Sequence, residues 1–141
     1  MSWTTPKTDW YGEIVDDEYE GDYFNASDFN RIKNNLIYLR NLAITLYPSF
    51  NINDLGNDRT TSDFLYAEEL NKIEDNLDII NSSTIHRNYG TKVTFYTNGN
   101  TPLYTELNRL ESAILDLYNR LTNQADGRRK FTWNFGMKEG L

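Results

Sequence analysis

The sequence contains no cysteine, one histidine (His86), three prolines and no long apolar run. The lack of cysteine excludes disulfide scaffolds and thiolate metal sites, and one histidine cannot build a His-rich zinc site within one chain. No stretch approaches the roughly 20 apolar residues that a membrane span needs, and the first residues lack the apolar core of a secretion signal. We therefore expect one domain of 141 residues without membrane span, bound metal or other cofactor.

Motifs of catalysis are also missing. The sequence has no Gly-x-Ser-x-Gly turn, no nucleophilic cysteine and no Gly-rich phosphate loop. Acidic residues at 16, 18 and 20 fit the first positions of an EF-hand calcium loop, but Ser27 stands where that loop needs a bidentate glutamate. His86 lies in a polar stretch and is expected to be exposed. We predict that the chain is not an enzyme.

The net charge of -7 is concentrated near the N-terminus. Eight acids and no Lys or Arg lie between Asp9 and Asp28, which leaves 13 of the 21 acids against all 14 bases in the rest of the chain. Nucleic-acid binding requires a basic surface, and the one basic cluster, at 128–130, is only three residues long. We therefore predict an acidic, aromatic, extended arm at residues 1–24 and no nucleic-acid partner.

One motif occurs three times, with its first asparagine at Asn30, Asn71 and Asn108. Each copy reads apolar residue, Asn, base, Ile or Leu, two polar residues, Asn or Ala, and Leu or Ile. Apolar residues recur three and four apart around each copy, which places them on one face of an α-helix. The predicted core positions of the repeat are Ile32, Leu36, Ile73, Leu77, Leu110 and Ile114.

The repeat predicts a mainly α fold, a three-helix bundle at residues 25–124, because a single amphipathic stripe cannot bury itself. Capping and stop signals place the helices at about 26–46, 63–81 and 102–124. The connections between them are long for a bundle, and residues 92–97 in the second predict a short strand. Residues 125–141 are predicted to form an extended aromatic segment.

The chain has 18 asparagines, although asparagine is a poor helix former. Its recurrence at one helical position predicts either a repeated hydrogen bond, for example to the chain entering the next helix, or only shared ancestry of the copies. Aromatic side chains occupy both ends of the sequence. Either these ends fold back onto the bundle, or they dock onto neighbouring subunits, for which aromatic residues are preferred anchors; the candidate anchors are Trp3, Trp10, Tyr11, Phe131, Trp133 and Phe135.

The N-terminal residues Trp3-Thr4-Thr5-Pro6-Lys7-Thr8-Asp9-Trp10, followed by Asn30-Arg31-Ile32-Lys33-Asn34-Asn35, resemble a family of small proteins. The chain is similar, over most of its length, to tail or baseplate proteins of phages that infect Gram-positive bacteria. In that family a W-x-x-P-K-T-x-W start precedes repeated NRIExN helices. This chain departs from the pattern at Lys33, where glutamate is expected, and at Ala113, where asparagine is expected.

The resemblance implies a virion structural protein without catalysis. We expect an adaptor or connector that is made in the host cytoplasm and joins other tail or baseplate proteins in several copies. Two alternatives stay open. One is a module that binds cell-wall carbohydrate through loop aromatics, and the other is a cellular helical adaptor that binds a partner helix.

Overall fold

A computed structural model describes the backbone of residues 3–22, 24–60, 67–90 and 104–138, and the side chains of these residues except 14, 19, 67 and 128–138. The elements are β1 (Gly12–Val15), β2 (Glu18–Gly21), α1 (Ala26–Ala43), α2 (Ala67–Ser83) and α3 (Tyr104–Lys138). The three helices pack against one another, which confirms the predicted mainly helical bundle. No helix within these ranges combines the length and the hydrophobicity needed to cross a membrane.

The core is built from the apolar stripes of the three helices. All six predicted apolar repeat positions are buried. The stripes continue toward the C-terminal ends of the helices, where further aliphatic side chains are also buried: Leu39, Ile80, Leu117 and Leu121. Each such side chain contributes roughly 1.5–3 kcal/mol to folding, so the stripes hold the helices together.

Helices α1 and α3 run in the same direction. Arg31 of α1 binds Glu111 of α3, and seven residues further along each helix the rings of Tyr38 and Tyr118 lie 5.9 Å apart. Antiparallel helices would instead bring later residues of one helix to earlier residues of the other.

Helix α2 has the same direction as α3. Glu74 of α2 pairs with Arg109 of α3. Seven residues further along each helix, Asn81 and Asp116 both contact Arg87. All three helices are therefore parallel.

The parallel arrangement explains the long connections, because the chain must return over the length of a helix, about 27 Å for 18 residues, before the next helix begins. Three non-helical pieces are named here the N-terminal segment (residues 3–10), the second segment (residues 50–60) and the third segment (residues 86–90). Their contacts place them between α1 and α3, α1 and α2, and α2 and α3, respectively. The strand predicted at 92–97 lies outside the described residues.

Part of the predicted extended arm is a β-hairpin. Strands β1 and β2 pair antiparallel, with Glu13 opposite Glu20. The two turn residues, Asp16 and Asp17, have φ of 51° and 63°, as a two-residue type I′ turn requires. This hairpin has no strong signal in the sequence, because its turn is Asp-Asp instead of the usual Asn-Gly or Asp-Gly.

The prediction of an extended C-terminal segment at 125–141 is wrong over residues 125–138, because α3 continues to Lys138. Gly127, which follows the predicted end at about 124, does not end the helix, since it does not adopt the positive φ of a helix C-cap and no proline follows it. Phe131 and Phe135 are four residues apart, which is a helical spacing. Helix α1 ends at Ala43, three residues before the predicted end.

The position of Gly127 inside a helix gives a first prediction. Gly127→Ala should raise the free energy of unfolding by about 0.5–1 kcal/mol and increase helicity, because alanine is the better helix former. Gly56→Ala is the matched control, since a Cβ would meet no atom within 4 Å at either site, but Gly56 has φ of +79°. We expect that control to destabilise the fold. Circular dichroism with thermal unfolding measures both, and reduced helicity in Gly127→Ala would contradict the long α3.

Candidate functional site

The repeated asparagines bind the backbone of the non-helical segments. Asn30 of α1 accepts a hydrogen bond from the backbone N–H of Arg59 at 2.6 Å and donates one to its carbonyl at 2.9 Å. The side-chain amide thereby pairs with a peptide group on both its donor and its acceptor side. We call this two-bond contact an asparagine clamp.

Four more asparagine clamps occur among the described residues, with all bonds between 2.6 and 3.0 Å. They join Asn35 to Thr4, Asn108 to Trp10, Asn76 to Asn53, and Asn81 to Arg87. Asn30 holds the chain that leads to α2, and Asn108 holds the chain that leads to α1. The predicted repeated hydrogen bond is therefore confirmed at these two positions. The chain leading into α3 from residue 91 onward lies outside the described residues, so the prediction at Asn71 stays a prediction.

The clamps show that the repeat includes the non-helical segments as well as the helices. In the N-terminal segment the clamped residues are Thr4 and Trp10, and in the second segment they are Asn53 and Arg59, again six residues apart. A third backbone contact lies midway in each case, at Lys7 and at Gly56. Contact at every third residue is the period of a polyproline II helix.

The third copy of the repeat has Ala113 where the other two copies have asparagine, and this difference has a counterpart in the clamps. The residue equivalent to Ala113 is Asn35 in α1 and Asn76 in α2, and both hold a non-helical segment. Alanine cannot form a clamp, and the third segment is instead held at Arg87 by Asn81.

Glu111 is the centre of the contact between the N-terminal segment and the helices. It is fully buried, accepts the backbone N–H of Lys7 at 3.0 Å and the indole N–H of Trp10, and binds the guanidinium of Arg31 through two bonds of 2.8 Å. Burial alone would lower the pKa of Arg31, but hydrogen bonds and charges from Glu111 and Asp28 raise it. Arg31 therefore stays charged beside Glu111.

Lys33 of α1 is the repeat position equivalent to Glu111 of α3. It carries the opposite charge, so it contacts a backbone acceptor and not a backbone donor. Lys33 is buried, donates to the carbonyl of Gly56 at 3.1 Å and pairs with Asp58 at 2.6 Å. The hydrogen bonds from Lys33 and Asn34 lower the pKa of Asp58. Lysine thus binds a backbone acceptor of the second segment where Glu111 binds a backbone donor of the N-terminal segment.

Side chains of the third segment and of α3 form a polar cluster around Asp116. The hydroxyl of Tyr89 donates to Asp116 at 2.7 Å, and Asp116 also binds Arg120 at 2.8 Å and lies 3.8 Å from Arg87. Burial raises the pKa of Asp116, but the bonds from Tyr89 and Arg120 outweigh it and lower the pKa. Burial and the Asp116 carboxylate raise the pKa of Tyr89.

This lowered pKa predicts a pH dependence. Because the folded-state pKa of Asp116 lies below its unfolded value, its contribution to stability is fully present above about pH 4 and is lost as the pH falls through the folded-state pKa. Thermal unfolding of the wild type and of Asp116→Asn between pH 2 and 7 measures this term. The variant should be less stable at pH 7, and the difference should shrink in acid. A constant difference would contradict the assignment.

The predicted docking aromatics are in different environments. Trp10 is 4% exposed in the core, and Trp3 stacks on Tyr118 with ring centroids 4.0 Å apart. Both fold back onto the bundle of their own chain, as the first of the two alternatives expects, and docking of either ring onto a neighbouring subunit stays a prediction. Tyr11 is 49% exposed and stays a candidate anchor. The side chains of Phe131, Trp133 and Phe135 lie outside the described set.

A candidate surface lies at the end of the bundle where the three helices begin, and we call it the acidic end. Tyr104 is 38% exposed and lies one turn before Asn108, whose clamp on Trp10 brings the exposed Tyr11 to the same end. The hairpin that follows Tyr11 adds five carboxylates: Glu13, Asp16, Asp17, Glu18 and Glu20. Three parallel helix N-termini make this end electrically positive, so the acids are favourably placed there.

Lys7 lies at the base of the hairpin. Its ammonium is 3.2 Å from Asp9 and 3.4 Å from Asp22, and the bond to Asp9, together with Asp22 and against a smaller effect of burial, raises the pKa of Lys7. One ammonium thus contacts two acids that flank the hairpin, whereas the strand and turn acids are exposed to solvent. The acidic end is therefore a surface of net negative charge with two exposed tyrosines.

An open groove of about 870 Å³ on α1 is lined by polar side chains that already have partners, since Lys33 and Asn34 bind Asp58 and Asn30 binds the backbone of Arg59. This groove contains no arrangement typical of catalysis. No group of three His, Asp or Glu side chains that could hold a metal occurs within the described residues. Compared with family models, curated proteins and solved structures, the chain shows no match to any of them.

Proposed function

We propose that the chain is a non-catalytic structural protein of a phage tail or baseplate. The observation that supports this most is the agreement between the family resemblance and the structural roles of the same residues. The tryptophans of the W-x-x-P-K-T-x-W start and the asparagines of the NRIExN copies join the segments to the helices, as in Asn35 with Thr4 and Asn108 with Trp10. The resembling residues thus maintain a scaffold.

In this proposal the bundle is a rigid spacer. The five clamps and the buried ion pairs fix every described segment to two helices, so a load on one end is transmitted through many short contacts. The parts outside the repeat then provide the docking surfaces. These are the acidic end and the C-terminal part of α3, which continues past Gln124, where Tyr47 still contacts it.

The acidic end favours a basic partner. Glu13 and Glu20 are paired directly opposite each other in the hairpin, and like charges in that position repel. A Lys or Arg from a neighbouring tail or baseplate protein would remove the repulsion, and Tyr11 and Tyr104 offer apolar contact beside it. The proposed partners are therefore basic surfaces of other virion proteins, contacted by several copies of this chain.

The test is assembly of particles that lack the chain and are supplied with variants of it. We expect Glu13→Gln with Glu20→Gln to be incorporated several-fold less well, because charged rims control association rates, while the fold stays intact since a repulsion is removed. The matched control, Asp54→Asn with Asp78→Asn, removes two exposed acids outside both docking surfaces, keeps an acceptor for the Gly56 N–H and should be incorporated normally. Equal incorporation of both double variants would refute docking through the hairpin. Deleting residues 1–12 is not a suitable test of docking, because it also removes the buried Trp10 and therefore changes the core of the bundle.

A carbohydrate-binding module is the second candidate. The exposed rings of Tyr11 and Tyr104 lie at one end of the bundle beside carboxylates that could bind sugar hydroxyls. A polysaccharide pull-down with cell walls of the host, compared between the wild type and Tyr11→Ala with Tyr104→Ala, tests it. Retention of the wild type alone supports sugar binding, and equal retention of both proteins counts against these residues.

A further inference from the structure

The N-terminal segment is bound to the bundle as a peptide ligand is bound in a groove. Its backbone forms clamps with Asn35 at Thr4 and with Asn108 at Trp10, and Glu111 accepts the N–H of Lys7 between them. Side chains add to the backbone contacts, since Trp3 stacks on an α3 tyrosine and Trp10 is buried beneath Arg31. The groove between α1 and α3 therefore recognises both backbone and sequence.

The groove is specific for this segment in particular. A backbone contact at every third residue leaves the residues between them to select the sequence, and Pro6 is buried there. The second segment occupies a groove of the same design but places Leu55 at the equivalent buried position and Arg59 where the N-terminal segment has Trp10. Two different sequences thus fill two related grooves, and the sequence that fits the α1–α3 groove is the one at residues 3–10.

The connection between this segment and the bundle is long. Residues 11–25 separate Trp10 from α1, whereas residues 60–66 separate Arg59 from α2. The difference is the hairpin, whose two ends are held together by a bond from the N–H of Asp22 to the carbonyl of Tyr11 at 2.7 Å. Opening the hairpin would free about ten residues, which span roughly 30 Å when extended, enough to reach an adjacent molecule.

We propose that the α1–α3 groove is an intermolecular binding site whose ligand is residues 3–10 of a second copy of this chain. When two copies exchange the segment, each groove makes the same contacts with the partner's segment as it makes with its own. The exchanged and unexchanged states therefore differ mainly by the effective concentration of the tethered segment, which is in the millimolar range for short linkers. Separate copies in dilute solution keep the segment in cis. Copies held side by side in an assembly exchange it and become linked. The inference does not depend on the virion assignment.

The test combines two full-length variants that are defective in complementary ways. Asn35→Leu with Asn108→Leu removes both clamps and leaves an intact segment, and Thr4→Pro with Lys7→Pro removes two backbone donors and leaves an intact groove. A mixture should form a heterodimer of twice the 16.5 kDa of one chain, measured by light scattering after size exclusion, while each variant alone stays monomeric. A monomeric mixture of two variants that are folded by circular dichroism would overturn the proposal.

A second measurement tests the proposal if the variants of the first test do not fold. A protease site replaces the exposed turn Asp16-Asp17 of the otherwise native chain, and after cleavage a fluorescent peptide of residues 1–16 is added in excess. We expect the labelled peptide to replace the cleaved segment and to remain on the protein through size exclusion, whereas a peptide with Trp3 and Trp10 changed to Ala should not bind. Loss of the cleaved segment without uptake of the labelled peptide would show that the groove does not accept the segment in trans, whereas a retained cleaved segment is itself held without a covalent link and would support the proposal.

Discussion

Replacing Glu111 with alanine is expected to lower the free energy of unfolding by about 3–5 kcal/mol, the usual result of removing one partner of a buried ion pair. The variant leaves the Arg31 guanidinium without its buried carboxylate and removes the acceptor of the Lys7 N–H and of the Trp10 indole. Chemical denaturation followed by tryptophan fluorescence measures the loss. It also reports on Trp10 directly, because that ring lies against the altered site.

Two comparisons make this expectation specific. Ser112→Ala, at an exposed position beside Glu111, should change stability by no more than about 0.5 kcal/mol. The double variant Arg31→Met with Glu111→Ala contains no unpaired charge at this site. The double variant should therefore lose less free energy of unfolding than the two single variants lose together, by about 0.5–3 kcal/mol. Strict additivity of the single variants would contradict a coupled pair.

The helices could be predicted from the sequence because their signal is local. Ile32 and Leu36, like their equivalents in the other copies, lie on one face at helical spacing, and that spacing holds whichever way the helices pack. The direction of the helices could not be predicted in the same way. It depends on contacts such as Arg31 with Glu111, 80 residues apart, which a pattern within one helix does not encode.

The binding of the non-helical segments to the helices has a weaker signal in the sequence than the helices themselves. The N-terminal and second segments are fixed through backbone atoms at Thr4, Lys7, Asn53 and Gly56, so the residue types at those positions differ freely. What does recur is the partner, an asparagine at a fixed place in the helical motif. The recurrence of asparagine at one helical position is therefore the informative feature, because it indicates a repeated bond, for example to the chain entering the next helix, without showing which residue of that chain is bound.

The candidate surface was predicted only in part. Acidic charge near the N-terminus was evident from composition, but its position at the positive end of three parallel helices depends on the fold. Trp10 and Tyr11 are neighbours in sequence, yet one is buried and the other exposed, because the clamp at Trp10 turns its ring inward. Composition identifies aromatic residues and cannot distinguish a core ring from a docking ring.

The second large effect is expected for Asn108→Ala, which should lower the free energy of unfolding by roughly 2–4 kcal/mol because it leaves the N–H and the carbonyl of Trp10 without their partners. The substitution slightly stabilises the helix itself, since alanine is the better helix former. A lower free energy of unfolding therefore reports on the clamp. Asn119→Ala is the matched control, as it makes the same substitution at an exposed position of α3, and it should be neutral or slightly stabilising. Urea unfolding measures both variants.

Asn108→Asp separates the two bonds of the clamp. The carboxylate still accepts from the Trp10 N–H but cannot donate to the Trp10 carbonyl, and it adds a negative charge one turn from Glu111. We expect the order of stability to be wild type, then the Asp variant, then the Ala variant, with amide hydrogen exchange at Trp10 accelerating in the same order. If Asn108→Ala proved as mild as Asn119→Ala, the clamp would be incidental to folding, and the shared asparagines would reflect only the common ancestry of the three copies.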